Sequence, residues 1–185
     1  MPIDVLSDIL RSVHLKGGVY FRCDFSAPWG MEIKPTPAAE FHLITRGQCW
    51  LRVASRRNPI PLHSGDIVVF HHGDAHALLD APGREAVPAE KIVANQNLDS
   101  YGPVVYGGDG LPAGILCGYF EFDRTAKHPL IAALPPLIHI RGTDAQDFAW
   151  LQAAVSFISH ETREPRPGAD AVVNRLAEIL FIQVL

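Results

Sequence analysis

The stretch Pro61–Leu79, P-L-H-S-G-D-I-V-V-F-H-H-G-D-A-H-A-L-L, constrains the fold more than any other part of the chain. Gly65-Asp66 makes a tight turn. Ile67–Phe70 is a short apolar, β-branched run that fits a buried strand. His72-Gly73-Asp74 makes the next turn, and His76 opens a second strand that points back over the first. A turn of this kind throws one histidine onto the wall of a β-barrel, where it serves as a ligand or a polar cap. The rest of the chain is expected to complete that barrel and to end in a helical tail.

The flanking strands follow from alternation. In Val19–Phe25, the residues Val19, Phe21, Cys23 and Phe25 share one face, which directs Cys23 inward. Met31–Ile33 is a further short extended piece. Glu40–Arg46 and Gln48–Val53 read as a hairpin turning at Arg46-Gly47. Its first arm puts Glu40, His42 and Ile44 on one face, and its second arm does the same for Cys49, Leu51 and Val53. Ala113–Asp123 returns to strand, with Ile115, Cys117, Tyr119 and Glu121 opposite Leu116, Phe120 and Phe122. Between the two blocks, Asp80–Pro112 sustains no period and reads as one long loop, mobile around Gly83–Pro88 and Gly107–Gly110.

The ends are helical. Asp4–His14 has an amphipathic pattern closed by Gly17-Gly18. His128–Leu134 reads as a helical turn and Leu137–Ile140 as a short apolar segment. In the tail, Thr143 and Asp144 cap a helix marked by Phe148, Leu151, Val155 and Ile158. After a proline-containing turn, Val172, Val173, Leu176, Ile179, Leu180 and Gln183 mark a second helix over Asp170–Leu185. The two make an antiparallel pair. Their apolar stripes are wider than one packing face requires, so a homodimer through this pair is expected. The end in mid-helix reads as a cut from a longer chain. The expected class is mainly β with a helical tail: residues 1–140 form a jelly-roll-like barrel with an N-terminal helix, and residues 141–185 form the helix pair.

Composition excludes some functions. A net charge of −4 provides no basic field to collect phosphates, which argues against a free-standing nucleic-acid binder. No apolar run reaches membrane-spanning length and no signal peptide is visible. Three cysteines without a signal peptide fit a reducing cytoplasm, as free or metal-bound thiols.

Two β motifs resemble those of the cupin family. Gly65, five residues, His71 in the proline position, His72, Gly73, two residues and His76 follow its second motif. Glu40, six residues and Gly47 follow the end of its first. Lys34 and Thr36 stand where that motif has its His-x-His pair, so two ligands of the usual metal centre of cupin enzymes are missing. A resemblance over nearly the whole chain is closer still. D-V-L-S-D-I-L-R-S-V, A-P-W-G, F-H-L-I-T-R-G-Q-C-W-L, P-L-H-S-G-D-I-V-V-F, G-D-A-H, C-G-Y-F-E-F-D, L-P-P-L-I-H-I and A-V-V-N-R-L-A-E-I-L-F-I-Q look like the N-terminal cupin half of AraC/XylS-type transcriptional regulators. That resemblance implies a non-enzymatic domain that senses a small-molecule or oxidant effector and dimerises. DNA would be read only by a helix-turn-helix domain absent from this chain. The alternatives are a metal-dependent cupin enzyme acting on a small molecule, and an inert dimerisation module.

Cys23, His42, His76 and Cys117 are the candidate metal ligands. Each lies in or beside a barrel strand, and two thiolates with two imidazoles suit tetrahedral zinc. Such a site is structural, or a thiol-based redox sensor that loses its metal on oxidation. Glu40 is a reserve ligand or a hydrogen-bond acceptor behind an imidazole. Taken singly, each of the four reads better as a core residue; it is the set on a cupin frame that brings zinc level with the core reading. Asp66 is read as a turn residue that accepts backbone N–H groups. His71 and His72 are expected to be solvated in their turn.

Overall fold

Alternating sequence produces two sheets. The computed structural model describes residues 16–94, 96, 103–121, 133–142, 153–154, 156–158, 160–161 and 167–184. The expected helix over residues 4–14 lies outside them, as does most of the first tail helix. The strands are β1 (Lys16–Ser26), β2 (Gly30–Ile33), β3 (Ala39–Arg46), β4 (Gln48–Val53), β5 (Ile60–His63), β6 (Ile67–Phe70), β7 (His76–Leu79), β8 (Val87–Pro88), β9 (Val104–Gly107), β10 (Pro112–Glu121) and β11 (Ile138–Ile140). Helices α1 (Ala89–Ala94) and α2 (Ala169–Val184) join them, and further helical residues lie among 153–161. A six-stranded sheet runs β11-β6-β3-β10-β1-β9, and a five-stranded sheet runs β5-β4-β7-β2-β8.

Gly47 takes the left-handed conformation (φ 73°) that its turn needs, but the expected hairpin does not form: β3 pairs with β6 and β10 in one sheet, and β4 pairs with β5 and β7 in the other, so the turn crosses between the sheets. β6 and β7 form as expected. They belong to different sheets, so the turn at Gly73 carries the chain from one wall of the barrel to the other.

Side chains from both sheets meet in an inner core that includes Phe25, Met31, Ile44, Leu51, Phe70 and Leu78. The opposite face of the six-stranded sheet is buried as well. There Phe41, Leu43, Val69 and Phe120 pack with Ile158, Val173, Ala177 and Leu180 of the helical tail. Each large side chain buried this fully contributes about 1.5–3 kcal/mol. Gly118 lets β10 sit close, because a Cβ there would overlap the Phe41 ring and the Gly18 carbonyl. No described helix is long and apolar enough to cross a membrane.

Two further expectations fail. Val19 and Phe21 do not share a face. The β1–β10 register shifts between them, so Val19 packs in the outer cluster and Phe21 against the inner one. A bulge adds one residue to a strand and reverses the alternation on its far side. Nor is Asp80–Pro112 one long loop, since β8, α1 and β9 lie within it. Arg84 clamps the turn before β8 with two bonds to Asp80, at 2.6 and 3.0 Å. β8 pairs parallel with β2, and β9 pairs parallel with β1. Elements this short take their stability from distant partners, and local periodicity does not register them.

Candidate functional site

Strand order brings the expected ligands together. β3 lies between β10 and β6, and its register sets His42 beside Cys117. Cys23 lies one strand further, on β1, which pairs with β10. His76 is the first residue of β7 and enters from the opposite sheet. Its ring stacks on Phe70 with centroids 3.8 Å apart and planes at 9°. Glu40 precedes His42 by two residues on the same inward face. All five side chains are buried.

They form a continuous run. The Sγ atoms of Cys23 and Cys117 are 4.0 Å apart. Cys117 Sγ lies 3.2 Å from His42 Nδ1, and His42 Nε2 lies 2.6 Å from His76 Nε2. His76 Nδ1 is 2.7 Å from the Asp74 carbonyl oxygen. That carbonyl only accepts, so His76 carries its proton on Nδ1 and presents a lone pair at Nε2. A neutral His42 therefore donates from Nε2 to His76 and accepts at Nδ1 from the Cys117 thiol. With Cys23 donating to Cys117, every polar hydrogen in the run has an acceptor.

Burial disfavours the charged form of each of these groups. Desolvation holds His42 well below the usual imidazole range, and neighbouring His76 adds to the effect. Burial lowers His76 to about 4 against the opposing pull of Asp74. Burial and the bond that Cys23 donates to Cys117 push the Cys23 thiol well up. Burial raises the Glu40 carboxyl to about 7, opposed by the Thr36 hydroxyl.

Glu40 is only 4% exposed, and its Oε2 has no hydrogen-bond partner among the described residues. Ligand atoms of Glu40, His42 and His76 lie within 4.8 Å of one another. One unpartnered carboxylate oxygen and two imidazole nitrogens fit a divalent cation, and the Asp74 carbonyl orients His76 as a ligand imidazole requires. The four residues expected to hold zinc are all in the run, strung in sequence rather than grouped around one point. Cys117 sits at one nitrogen of His42 and His76 at the other.

A cavity of about 430 Å³ opens beside this run, with Glu40, His42 and Cys117 in its wall. Lys34 and Thr36, which occupy the cupin histidine positions, also line it. So do Ala89, Glu90 and Val93 of α1, which sequence reasoning missed because it read that segment as loop. Lys34 and Glu90 pair across the rim at 3.1 Å, both well exposed. His71 departs from expectation. It is buried, with its ring centroid 3.7 Å from that of His72.

A double-sheet barrel with an inward glutamate and a histidine delivered by a glycine turn defines a cupin. A family model described as Cupin matches residues 4–185, and the chain belongs to that family. The relatives it resembles along nearly its whole length are transcriptional regulators, not enzymes. It is 25% identical to an uncharacterized HTH-type transcriptional regulator of Haemophilus influenzae, over 99% of this chain and 58% of that one. It is also 25% identical to the HTH-type transcriptional regulator AlkR of Acinetobacter baylyi, over 98% of this chain and 60% of AlkR. The chain thus spans about three-fifths of the length of these relatives. A solved structure of ToxT from Vibrio cholerae with bound unsaturated fatty acid aligns over 92% of this chain and 52% of ToxT, with a TM-score of 0.44 and 8% identity.

Proposed function

We propose that this chain is the effector-sensing and dimerising region of an AraC-type transcriptional regulator. It works in the cytoplasm and meets DNA only through a helix-turn-helix region beyond these residues. The observation that carries the reading is the likeness to HTH-type regulators over nearly the whole chain, joined to a barrel with an accessible cavity. The barrel, residues 1–140, senses, and the helical part, residues 141–185, associates. Val172 and Ile179 on α2 and Phe157 in the preceding helical segment remain exposed at 45%, 46% and 60%, as an interface between two copies requires. Light scattering of the purified chain should give the mass of a dimer. The mass of one chain at high micromolar concentration would overturn the dimer.

The finer reading is a metal-linked thiol sensor. Cys23, His42, His76 and Cys117 hold one zinc ion after modest ring reorientation. Peroxide then oxidises the two thiols to a disulfide, is itself reduced to water, and the metal is released. Elemental mass spectrometry on protein purified without chelator should find about one zinc per chain, as a closed four-ligand site holds. Cys23→Ser and Cys117→Ser should each lose it. Metal retained in both serine variants would shift the site to Glu40, His42 and His76. Absence of metal would leave the run as a hydrogen-bonded core.

A further inference from the structure

We propose that the barrel cavity takes a hydrophobic amine, its ammonium group on the Glu40 carboxylate and its apolar body against Met31 and Ile33. This rests on reading the cavity as the effector site and names the ligand class that fits it. Three observations carry it.

The first is the contrast within the cavity. Phe21, Met31, Ile33 and Val93 make apolar walls, while Glu40 brings a carboxyl that is almost entirely buried. Its Oε2 has no donor among the described residues. A buried acceptor left without a partner is costly, and a ligand N–H removes that cost.

The second concerns competing cations. Lys34, the cavity's lysine, is held at the rim by Glu90 at 3.1 Å. His42 has one ring nitrogen at Cys117 and the other at His76, so it offers Glu40 no proton. Zinc on the two thiols and two imidazoles leaves this carboxyl free.

The third is the pair of rings on the same wall. Tyr20 and Phe21 both line the cavity, with centroids 6.4 Å apart. Aromatic faces attract a cation and do nothing comparable for an anion. A fatty acid or a phosphate would place a negative headgroup against Glu40, and an alcohol would bring a donor without charge. The cavity volume suits a ligand of small-drug size.

The test is calorimetric titration of the chain with octylamine, octanol and octanoate. Octylamine should bind about tenfold or more tightly than octanol, as a charge-assisted hydrogen bond requires, and octanoate should bind most weakly. Glu40→Gln should abolish the amine preference and leave octanol binding in place. Ile33→Trp, which fills the cavity, should abolish binding of all three. The amine–alcohol comparison needs no variant, so it stands even if a substituted chain fails to fold. Equal binding of amine and alcohol, or a preference that survives Glu40→Gln, would overturn the amine while leaving the cavity as an effector site. No binding by any probe would overturn the amine too, and the effector reading would then lose its cavity.

Discussion

Asp66→Ala is expected to lower the unfolding free energy by about 4 kcal/mol, the sum of several buried hydrogen bonds lost at once. The Asp66 carboxylate is 4% exposed. It accepts from the His63 backbone N–H at 3.1 Å, from the Gly142 N–H at 2.8 Å and from His139 Nε2 at 3.0 Å. These bonds close the turn into β6 and fasten β11 to its neighbour. Alanine leaves those donors without a partner in a site too tight to rehydrate freely. For a chain of this length the melting temperature should fall by about 10 °C. Asp66→Asn keeps one acceptor oxygen and should recover part of the loss. Urea and thermal melts of the three proteins decide it, and an alanine variant within about 1 kcal/mol of the parent would refute the fastening role.

Glu40→Gln should change how stability depends on pH in metal-free protein. Burial raises the Glu40 carboxyl from 4.5 to about 7, so between those values the folded chain holds a proton that the unfolded chain has lost. The contribution is complete below about pH 4.5 and is lost as the pH rises through about 7. A rise of that size corresponds to no more than about 3 kcal/mol. His76 has the opposite sign. Lowered from 6.5 to about 4, it makes the folded chain more stable as pH rises across that window. His42 acts in the same sense. Tyr20, raised to about 12, takes no part near neutrality. The opposing groups should flatten the parental profile in mildly acidic solution. With glutamine at position 40 the two histidines act unopposed by this carboxyl, so the profile should climb. The variant-minus-parent difference should therefore grow toward neutral pH. Parallel profiles in a urea series would show that Glu40 does not titrate in this way.

Much of this architecture is legible in local patterns. β3, β4, β6 and β10 alternate or run apolar over enough residues for the period to register, and Gly47 and Gly73 mark their turns. The inward faces of Cys23, His42 and Cys117 follow from the same alternation. The bulge after Val19 is not legible, because the shift depends on how β10 pairs with β1. β8, α1 and β9 are too short to announce themselves, and with them the α1 wall of the cavity is lost to sequence reasoning. Asp66 is legible as a turn residue. Its bonds to His139 and Gly142 are not, since those partners lie 73 and 76 positions away. The site behaves likewise: alternation gives the facing of each ligand, whereas the meeting of His42 with His76 depends on two sheets closing on one another.

The six-stranded sheet is buried on both sides, and under the proposed function this would make the barrel wall a transmission element. His42 faces the cavity side, while its chain neighbours Phe41 and Leu43 face the helical tail. Cys117 faces inward, and Leu116 beside it faces outward. α2 rests on this outer surface, where Glu178 reaches the Gly17 backbone N–H at 3.4 Å. Container and lever share a single thickness of backbone, with no hinge between them. The helix rests chiefly on β1, the strand that carries Cys23 and pairs with β10, so under the proposed function a guest that displaced these strands would also shift the helix. The exposed Val172 and Ile179 ride on that helix, so under the proposed function the cavity and the proposed dimer contact lie on opposite sides of one sheet.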